Sequence, residues 1–170
     1  PNVVIESSQL GAGVQVKANT VIEGAVIAEH CQLGPFARIR PGSNFAPSVK
    51  IGNFVETKKT TMGAGSKASH LAYLGDATIG CDVNVGAGSV TCNYDGVDKH
   101  QTVIGDGAFV GTNSTLVAPL NIGAESFVAA GSTVTTDVEE QSLALGRGKQ
   151  RNIAKWLSPL KRKQRTSPDH

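Results

Sequence analysis

The hydrophobic positions of this chain recur every six residues. The longest run has branched aliphatic residues in step at Ile104, Val110, Leu116, Ile122, Val128 and Val134. Shorter runs with the same spacing but another phase occur at Leu10, Val16 and Ile22, at Ile27, Leu33 and Ile39, and at Ile79 and Val85. A period of six fits neither an α-helix, which repeats every ~3.6 residues, nor a flat strand, which alternates every ~2.

Small residues keep a fixed place within each six-residue unit. The residue after the aliphatic position is mostly Gly or Ala, and the fifth position holds Ala108, Ser114, Ser126 and Ser132. We therefore predict an all-β solenoid of short strands joined by tight corners, in which branched side chains stack inward in columns. Such columns explain how a chain with only 5% aromatic residues builds a core. The period alone leaves the handedness of the solenoid open.

Composition and charge narrow the class of protein. Charged residues make up only 18% of the chain, and no apolar run approaches the ~20 residues that span a bilayer, so we predict a folded domain with no membrane partner. Residues 1–140 carry eight Lys or Arg against thirteen Asp or Glu, whereas residues 141–170 carry eight basic residues and one acid. We interpret 1–140 as one domain and 141–170 as a short basic C-terminal arm whose end is disordered.

The basic arm has two interpretations. Clustered Lys and Arg can neutralise nucleic-acid phosphates, or the arm can pack on the acidic body of a neighbouring copy of the chain. We favour the second and predict no nucleic-acid partner, because residues 1–140 are net negative. The cysteines, Cys31, Cys81 and Cys92, are odd in number and show no paired spacing, which fits a reducing cytosol rather than a disulfide framework.

Chemistry in a solenoid is expected where the repeat is interrupted, because loops vary while the strands stay rigid. We predict one interruption around residues 40–50 and a larger one at 91–102, where Asp95-Gly96 signals a turn. Residues 53–76 keep the period but are unusually polar. Candidate functional residues are therefore sought in these three segments.

Several ordered strings in and near these segments carry a family resemblance. They are Arg-Pro-Gly at 40–42, Gly-Asn-Phe-Val-Glu at 52–56, Tyr-Leu-Gly-Asp at 73–76, Asn-Val-Gly-Ala-Gly at 84–88, Thr-Cys-Asn-Tyr-Asp-Gly at 91–96 and Leu-Val-Ala-Pro at 116–119. In this order and spacing they resemble the acetyltransferase (C-terminal) domain of the bacterial bifunctional N-acetylglucosamine-1-phosphate uridyltransferase/glucosamine-1-phosphate acetyltransferase family, which is one of the hexapeptide-repeat acyltransferases. The chain starts without Met and inside the repeat, so we expect it to be a piece of a longer protein. Because it resembles only the acetyltransferase domain of the family, we expect no uridyltransferase activity from it.

The resemblance implies a fold, a reaction and an assembly. The fold is a left-handed parallel β-helix, the hexapeptide-repeat solenoid, with inserted loops. The reaction is direct N-acetylation of glucosamine 1-phosphate by acetyl-CoA, with no acyl intermediate on Cys92 and no metal. The enzyme is implied to be a cytoplasmic homotrimer with sites between subunits, and its product feeds UDP-N-acetylglucosamine synthesis for peptidoglycan and lipopolysaccharide.

The resemblance also implies substrate-binding and catalytic residues. Arg40 and Lys58 match the phosphate-binding pair of the family, and Tyr73 and Asn84 match its contacts to the sugar. Arg suits a phosphate because its planar guanidinium donates two parallel hydrogen bonds, while Lys supplies a point charge. His70 matches the general base, since an imidazole of ordinary pKa ~6.5 can take a proton from an attacking amine.

Coenzyme contacts are implied at Ala87, Asn93, Tyr94, Thr112, Ala130 and Arg147. Thr112 stands where many family members have Ser. Small residues among these positions let backbone amides approach the pantetheine arm closely. Lys99 lies where the family places a loop residue over the active site. Glu56 and Asp76 are both candidates for orienting His70, and the sequence does not choose between them.

Three alternatives stand beside this interpretation. A γ-type carbonic anhydrase shares the fold, but its zinc needs three converging His, whereas His30, His70 and His100 are widely spaced. We interpret His30 and His100 as surface residues, and His170 as part of the disordered end. A hexapeptide acetyltransferase with another acceptor is disfavoured by the Arg–Lys phosphate pair, and a non-catalytic β-helical scaffold is disfavoured by the polar interruptions.

Overall fold

The computed structural model describes residues 1–154 and 156. Its strands, in chain order, are β1 (Val4–Glu6), β2 (Gln9–Leu10), β3 (Gln15–Val16), β4 (Val21–Glu23), β5 (Val26–Ile27), β6 (Gln32–Leu33), β7 (Arg38–Ile39), β8 (Asn44–Phe45), β9 (Lys50–Asn53), β10 (Glu56–Met62), β11 (Lys67–His70), β12 (Tyr73–Ile79), β13 (Asn84–Val85), β14 (Val90–Cys92), β15 (Thr102–Ile104), β16 (Phe109–Val110), β17 (Thr115–Val117), β18 (Leu120–Ile122), β19 (Phe127–Val128), β20 (Thr133–Val134) and β21 (Leu143–Ala144). Neighbouring strands are parallel and lie one coil apart, so the chain winds into a β-solenoid of about eight turns. This confirms the predicted all-β solenoid, and the winding is consistent with the left-handed β-helix.

The strands form three faces, which we call A, B and C. Face A comprises β1, β4, β7, β14, β17, β20 and the first halves of β10 and β12. Face B comprises β2, β5, β8, β15, β18 and the second halves of β10 and β12, which continue around the corner from face A. Face C comprises β3, β6, β9, β11, β13, β16, β19 and β21.

Each face contributes one column of inward side chains to the core. The face A column is Ile5, Ile22, Ile39, Thr57, Leu74, Thr91, Leu116 and Val134. The face B column is Leu10, Ile27, Phe45, Met62, Ile79, Ile104 and Ile122. The face C column is Val16, Leu33, Ile51, Ala68, Val85, Val110, Val128 and Ala144. The predicted columns are confirmed, and each fully buried Ile, Leu or Val contributes about 1.5–3 kcal/mol of transfer free energy.

The changes of phase along the sequence all lie at one corner. The coil that joins the paired residues Ile22 and Ile39 is one position shorter than the coil that joins Ile104 and Ile122. The position missing from the shorter coil falls between faces A and B, where the inward residues Ile22 and Ile27 are only five positions apart. The unbroken run of hexads from 104 to 134 therefore coincides with the longer coils, in which each face takes a full hexad.

The two predicted interruptions have different outcomes. Ile79 pairs with Ile104 across an enlarged coil, because a hairpin at 93–100 is inserted at the corner between faces A and B, so the interruption at 91–102 is confirmed. The prediction of an interruption at 40–50 is wrong. In this segment β8 pairs with β5 and β10, and Phe45 is 1% exposed in the core. Its Pro and Gly residues lie at the corners of a regular coil, and Gly42 supplies a left-handed φ of 82° there.

The corner between faces C and A carries one left-handed residue in each coil. These residues include Asn19, Phe36, Phe54, Leu71, Gly88, Asn113 and Gly131. A left-handed conformation costs a non-glycine residue roughly 1–2 kcal/mol. Phe36, Phe54 and Leu71 accept this cost although they are bulky and about half exposed (49%, 56% and 58%). The ladder bonds on both sides of the corner hold them in place.

The C-terminal end of the solenoid extends past residue 140. β21 pairs with β19 and completes a further strand of face C within the segment interpreted as the arm. The predicted disordered end of the arm and His170 lie outside the described residues. Residues 1–154 and 156 include no helix long and apolar enough to cross a membrane.

Candidate active site

Arg40 and Lys58 lie in adjacent coils on face A. They follow Ile39 and Thr57, which are paired in the inward column. On faces B and C the position directly after the inward residue is mostly Gly or Ala. In the first coils of face A the same position carries a charged side chain. The Arg40 guanidinium donates to the Glu56 carboxylate at 2.8 Å. The structure thus brings the predicted phosphate pair together.

A third cation, Lys99, reaches the pair from the hairpin. The pKa of Lys58 is lowered, first by the adjacent Lys99 ammonium and then by desolvation and by Arg40, whereas Asp76 raises it. We call Arg40, Lys58 and Lys99 the cation cluster. Its three positive charges outnumber the nearby carboxylates of Glu56 and Asp76, which suits an anion.

The base of the hairpin determines where Lys99 lies. Asn93 is only 8% exposed, and its side-chain amide donates to the Asp76 carboxylate at the corner of face A. The His100 amide donates to the Asn93 carbonyl at 2.8 Å, and Tyr94 and Lys99 form an antiparallel bridge. These contacts connect Lys99 to Asp76, at the corner between faces A and B around which β12 continues.

The tip of the hairpin is closed by a contact between the side chains of Asp95 and His100. The Asp95 carboxylate lies 2.7 Å from His100 Nε2. It also accepts hydrogen bonds from the amides of Val97 and Asp98 at 2.8 and 2.7 Å. These hydrogen bonds hold the pKa of Asp95 well below its usual range, and the bond with His100 has the largest effect. His100, predicted as a surface residue, is 33% exposed and takes part in the structure of the hairpin.

The Tyr73 side chain lies against Gly75 on face A. A Cβ atom on Gly75 would stand 2.7 Å from the ring carbon that bears the Tyr73 hydroxyl, and closer still to the hydroxyl oxygen. Gly75 pairs with Lys58 and belongs to the outward column of the cation cluster. The Tyr73 hydroxyl therefore lies on face A near Gly75, whose register partner in the preceding coil is Lys58.

His70 and three of the predicted coenzyme residues form one column at the corner between faces C and A. Each member of this column lies two positions after an inward residue of face C. Those inward residues pair with one another and are Ala68, Val85, Val110 and Val128. The column is His70, Ala87, Thr112 and Ala130. The Arg147 guanidinium donates to the Ala130 carbonyl at 2.8 Å, so five predicted residues line this corner.

The predicted residues nevertheless divide between two corners. Asn93 and Tyr94 lie at the corner between faces A and B, across face A from the His70 column. Asn84 lies on face C, where it pairs with Lys67 and Phe109. Glu56 pairs with Arg40 and Asp76 accepts from Asn93, and neither is hydrogen-bonded to His70 among the described residues. The structure therefore selects neither acid as the partner that orients His70.

The cation cluster leads to a pH prediction. A bound phosphate favours the ammonium form of Lys58, so affinity for inorganic phosphate should fall as pH rises through the lowered pKa of Lys58. In Lys99→Gln the main cause of the lowering is gone, so the fall should move to higher pH although affinity at neutral pH is weaker. Calorimetric titrations from pH 7 to ~10 measure the midpoint, with Lys50→Gln on face C as the control. An unchanged midpoint in Lys99→Gln would contradict the prediction.

Comparison with known proteins agrees with this arrangement. The chain is 58% identical over 161 residues to the bifunctional protein GlmU of Marinobacter nauticus, a match that covers 95% of this chain and 36% of that protein. It is 58% identical over 158 residues to GlmU of Cellvibrio japonicus, covering 93% of this chain and 35% of that protein. A family model described as the hexapeptide repeat of succinyl-transferase matches residues 101–136. The chain belongs to the hexapeptide-repeat family.

Within the family, this chain corresponds to the C-terminal third of GlmU. It spans about a third of the length of the relatives it matches. The solved structure of the polySia-specific acetyltransferase NeuO aligns with a TM-score of 0.54 at 17% identity, covering 92% of this chain and 82% of NeuO, which supports the solenoid fold alone. Among residues 1–154 and 156, no group of three or more His, Cys, Asp or Glu side chains is placed to hold a metal ion.

Proposed function

We propose that this chain transfers an acetyl group from acetyl-CoA to the amine of glucosamine 1-phosphate. The observation that carries the proposal is the cation cluster beside Tyr73, found in a chain that is 52–58% identical to GlmU proteins. An acceptor that carries a phosphate fits this site, because the three cations outnumber the two nearby carboxylates, Glu56 and Asp76, and leave a net positive charge for the phosphate to neutralise.

The cation cluster suits the phosphate of the acceptor. Arg40 supplies a planar guanidinium that Glu56 already holds in one orientation, and Lys58 and Lys99 supply point charges from two sides. The Tyr73 hydroxyl adds a hydrogen bond close to the same phosphate. With the phosphate at this edge of face A, the sugar extends toward the opposite edge, where His70 lies.

His70 is proposed as the general base. Its imidazole takes a proton from the amine as the amine nitrogen bonds to the thioester carbonyl carbon, and the C–S bond then breaks. The proton passes to the departing coenzyme A thiolate, so that the products are N-acetylglucosamine 1-phosphate and the free thiol. His70 is exposed and precedes Leu71, whose left-handed φ of 53° turns the chain sharply at this corner. That strain is offset by the ladder and directs His70 outward.

Acetyl-CoA is proposed to lie along the column that contains His70. Ala87 and Ala130 leave the backbone of this corner accessible, and Thr112 adds an exposed hydroxyl. Arg147, fixed to the Ala130 carbonyl, places a positive charge at the far end of the column for the coenzyme phosphates. We propose that the reaction needs no metal.

A homotrimer is proposed because the coenzyme residues occupy two corners. Asn93 and Tyr94 lie across face A from Ala87, and Asn84 lies on a third surface. A site shared between neighbouring copies would reunite these groups around one coenzyme molecule. Face C also exposes Phe109 and Phe127, whose rings stack with centroids 4.5 Å apart, and a subunit contact would cover them.

The proposed setting is the bacterial cytoplasm. All of the cysteines, Cys31, Cys81 and Cys92, are free thiols, as a reducing compartment favours. There the product would feed UDP-N-acetylglucosamine synthesis, and with it peptidoglycan and lipopolysaccharide.

An acceptor panel tests the proposal. Free-thiol release from acetyl-CoA is measured with glucosamine 1-phosphate, glucosamine, serine and no acceptor. We expect release with the sugar phosphate and little with the others. Release with another acceptor would keep the acyl chemistry but refute the substrate, and no release from the folded protein would favour the scaffold alternative.

A further inference from the structure

Two threonines interrupt the aliphatic column of face A. Thr57 and Thr91 occupy positions that hold Ile, Leu or Val in every other coil of this column, and they are 0% and 1% exposed. A buried hydroxyl is unfavourable unless it is hydrogen-bonded. Both residues lie in the coils of the candidate active site, so their hydroxyl groups call for an explanation beyond core packing.

The Thr91 hydroxyl binds the backbone of Gly75. It accepts a hydrogen bond from the Gly75 amide at 2.8 Å and donates to the Gly75 carbonyl at 3.0 Å. One side chain therefore satisfies both polar backbone groups of a single residue in the preceding coil. Valine at position 91 would fill the same volume but leave both groups of Gly75 without this partner.

Gly75 differs from most of the glycines that follow an inward residue in the atoms that an added Cβ would meet. At Gly52, Gly63 and Gly111, an added Cβ would collide with the backbone of the next coil. At Gly75 the three nearest atoms all belong to the side chain of Tyr73. The absence of a side chain at Gly75 is thus explained by the ring that lies over it.

Gly75 also leads directly into the corner that supports the hairpin. Asp76 follows it with a left-handed φ of 47°, and the Asp76 carboxylate accepts a hydrogen bond from Asn93 at the base of the hairpin. The hairpin in turn carries Lys99 to Lys58. A shift of the Gly75 backbone would therefore move Tyr73 and Lys99 together.

We propose that Thr91 and Gly75 are a positioning pair for the anion site. They contact no substrate, but they set the Tyr73 hydroxyl and the Lys99 ammonium relative to Lys58. The inference rests on the proposed function, since it concerns affinity for the phosphate of the acceptor. It assigns to a buried threonine a role in substrate affinity in addition to its place in the core.

The test compares Thr91→Val with Thr91→Ser. We expect Thr91→Val to raise the KM for glucosamine 1-phosphate about tenfold, because the two hydrogen bonds to Gly75 beside the cation cluster are lost. The KM for acetyl-CoA should change less than about twofold, because the proposed coenzyme column does not contact Gly75. Thr91→Ser keeps the hydroxyl and should restore a nearly normal KM. Gly75→Ala should raise the same KM by displacing Tyr73, which tests the pair through its other member.

Thr102→Val is the matched control. Thr102 is 0% exposed, and its hydroxyl has no hydrogen-bond partner among the described residues, so its loss should leave both KM values unchanged. Thermal unfolding of each variant reports folding separately from kinetics. An unchanged KM in Thr91→Val and Gly75→Ala, or an equal change in Thr102→Val, would overturn the inference while the wild type remained active. An inactive wild type would instead refute the proposed function.

Discussion

His70→Ala will lower kcat for acetylation of glucosamine 1-phosphate by about 10²–10⁴-fold, the usual contribution of a positioned general base. The KM for the acceptor should change much less, because the phosphate is bound by the cation cluster on the other edge of face A. Steady-state thiol release measures both constants. The expected effect is large because a proton must leave the amine as its nitrogen bonds to the thioester carbon, and no other histidine lies at this corner among the described residues.

His30→Ala is the control for this substitution. His30 is also exposed and also lies at a corner of the solenoid, with a left-handed φ of 61°, but at the corner between faces B and C. Its loss should leave kcat within about twofold, since surface substitutions away from a site are usually neutral. If His70→Ala retained wild-type kcat while folding normally, His70 would not be the base.

Lys58→Met will raise the KM for glucosamine 1-phosphate by about 10–100-fold, because a hydrogen bond to a charged group contributes roughly 1.5–3 kcal/mol. Methionine keeps an unbranched side chain that is one atom shorter, and it removes the ammonium group with its charge and its hydrogen-bond donors. The positive charges of Lys99 and Arg40 lower the pKa of Lys58, so a bound phosphate relieves the repulsion that its ammonium group experiences.

Two comparisons make the Lys58 result specific. Lys50→Met, on face C, removes a charge of the same sign at a different surface and should leave the KM unchanged. Glucosamine without a phosphate should be used equally poorly by the wild type and by Lys58→Met. If Lys58→Met used glucosamine less well than the wild type does, the result would contradict a phosphate contact and indicate a general loss of structure.

Much of the fold could be predicted from the sequence because the core is periodic. The hexads from Ile104 to Val134 identify the inward residues directly, and the structure places all six in the three columns. The segment 40–50 was misjudged because Pro and Gly signal a turn equally well in a loop and at the corner of a regular coil. Only the pairing of β8 with its neighbours separates the two cases.

The site was less predictable from sequence spacing. The chain makes one coil between Arg40 and Lys58 and one more between Lys58 and Gly75, so these residues form one outward column. That spacing could have revealed the role of Gly75 once the coil length was known. The signal for Thr91 was a polar residue at an inward position, which is visible only after the columns have been assigned.

The sequence by itself determined the all-β solenoid and the inward columns, because these depend on residue type at a fixed period. Its family strings predicted the residues of the proposed chemistry only through the resemblance. The tertiary structure alone decided that Lys99 meets Lys58, that Tyr73 covers Gly75 and that Thr91 holds Gly75 from within the core. These contacts join residues of different coils, and they arise because each turn of the solenoid returns the chain to the same face.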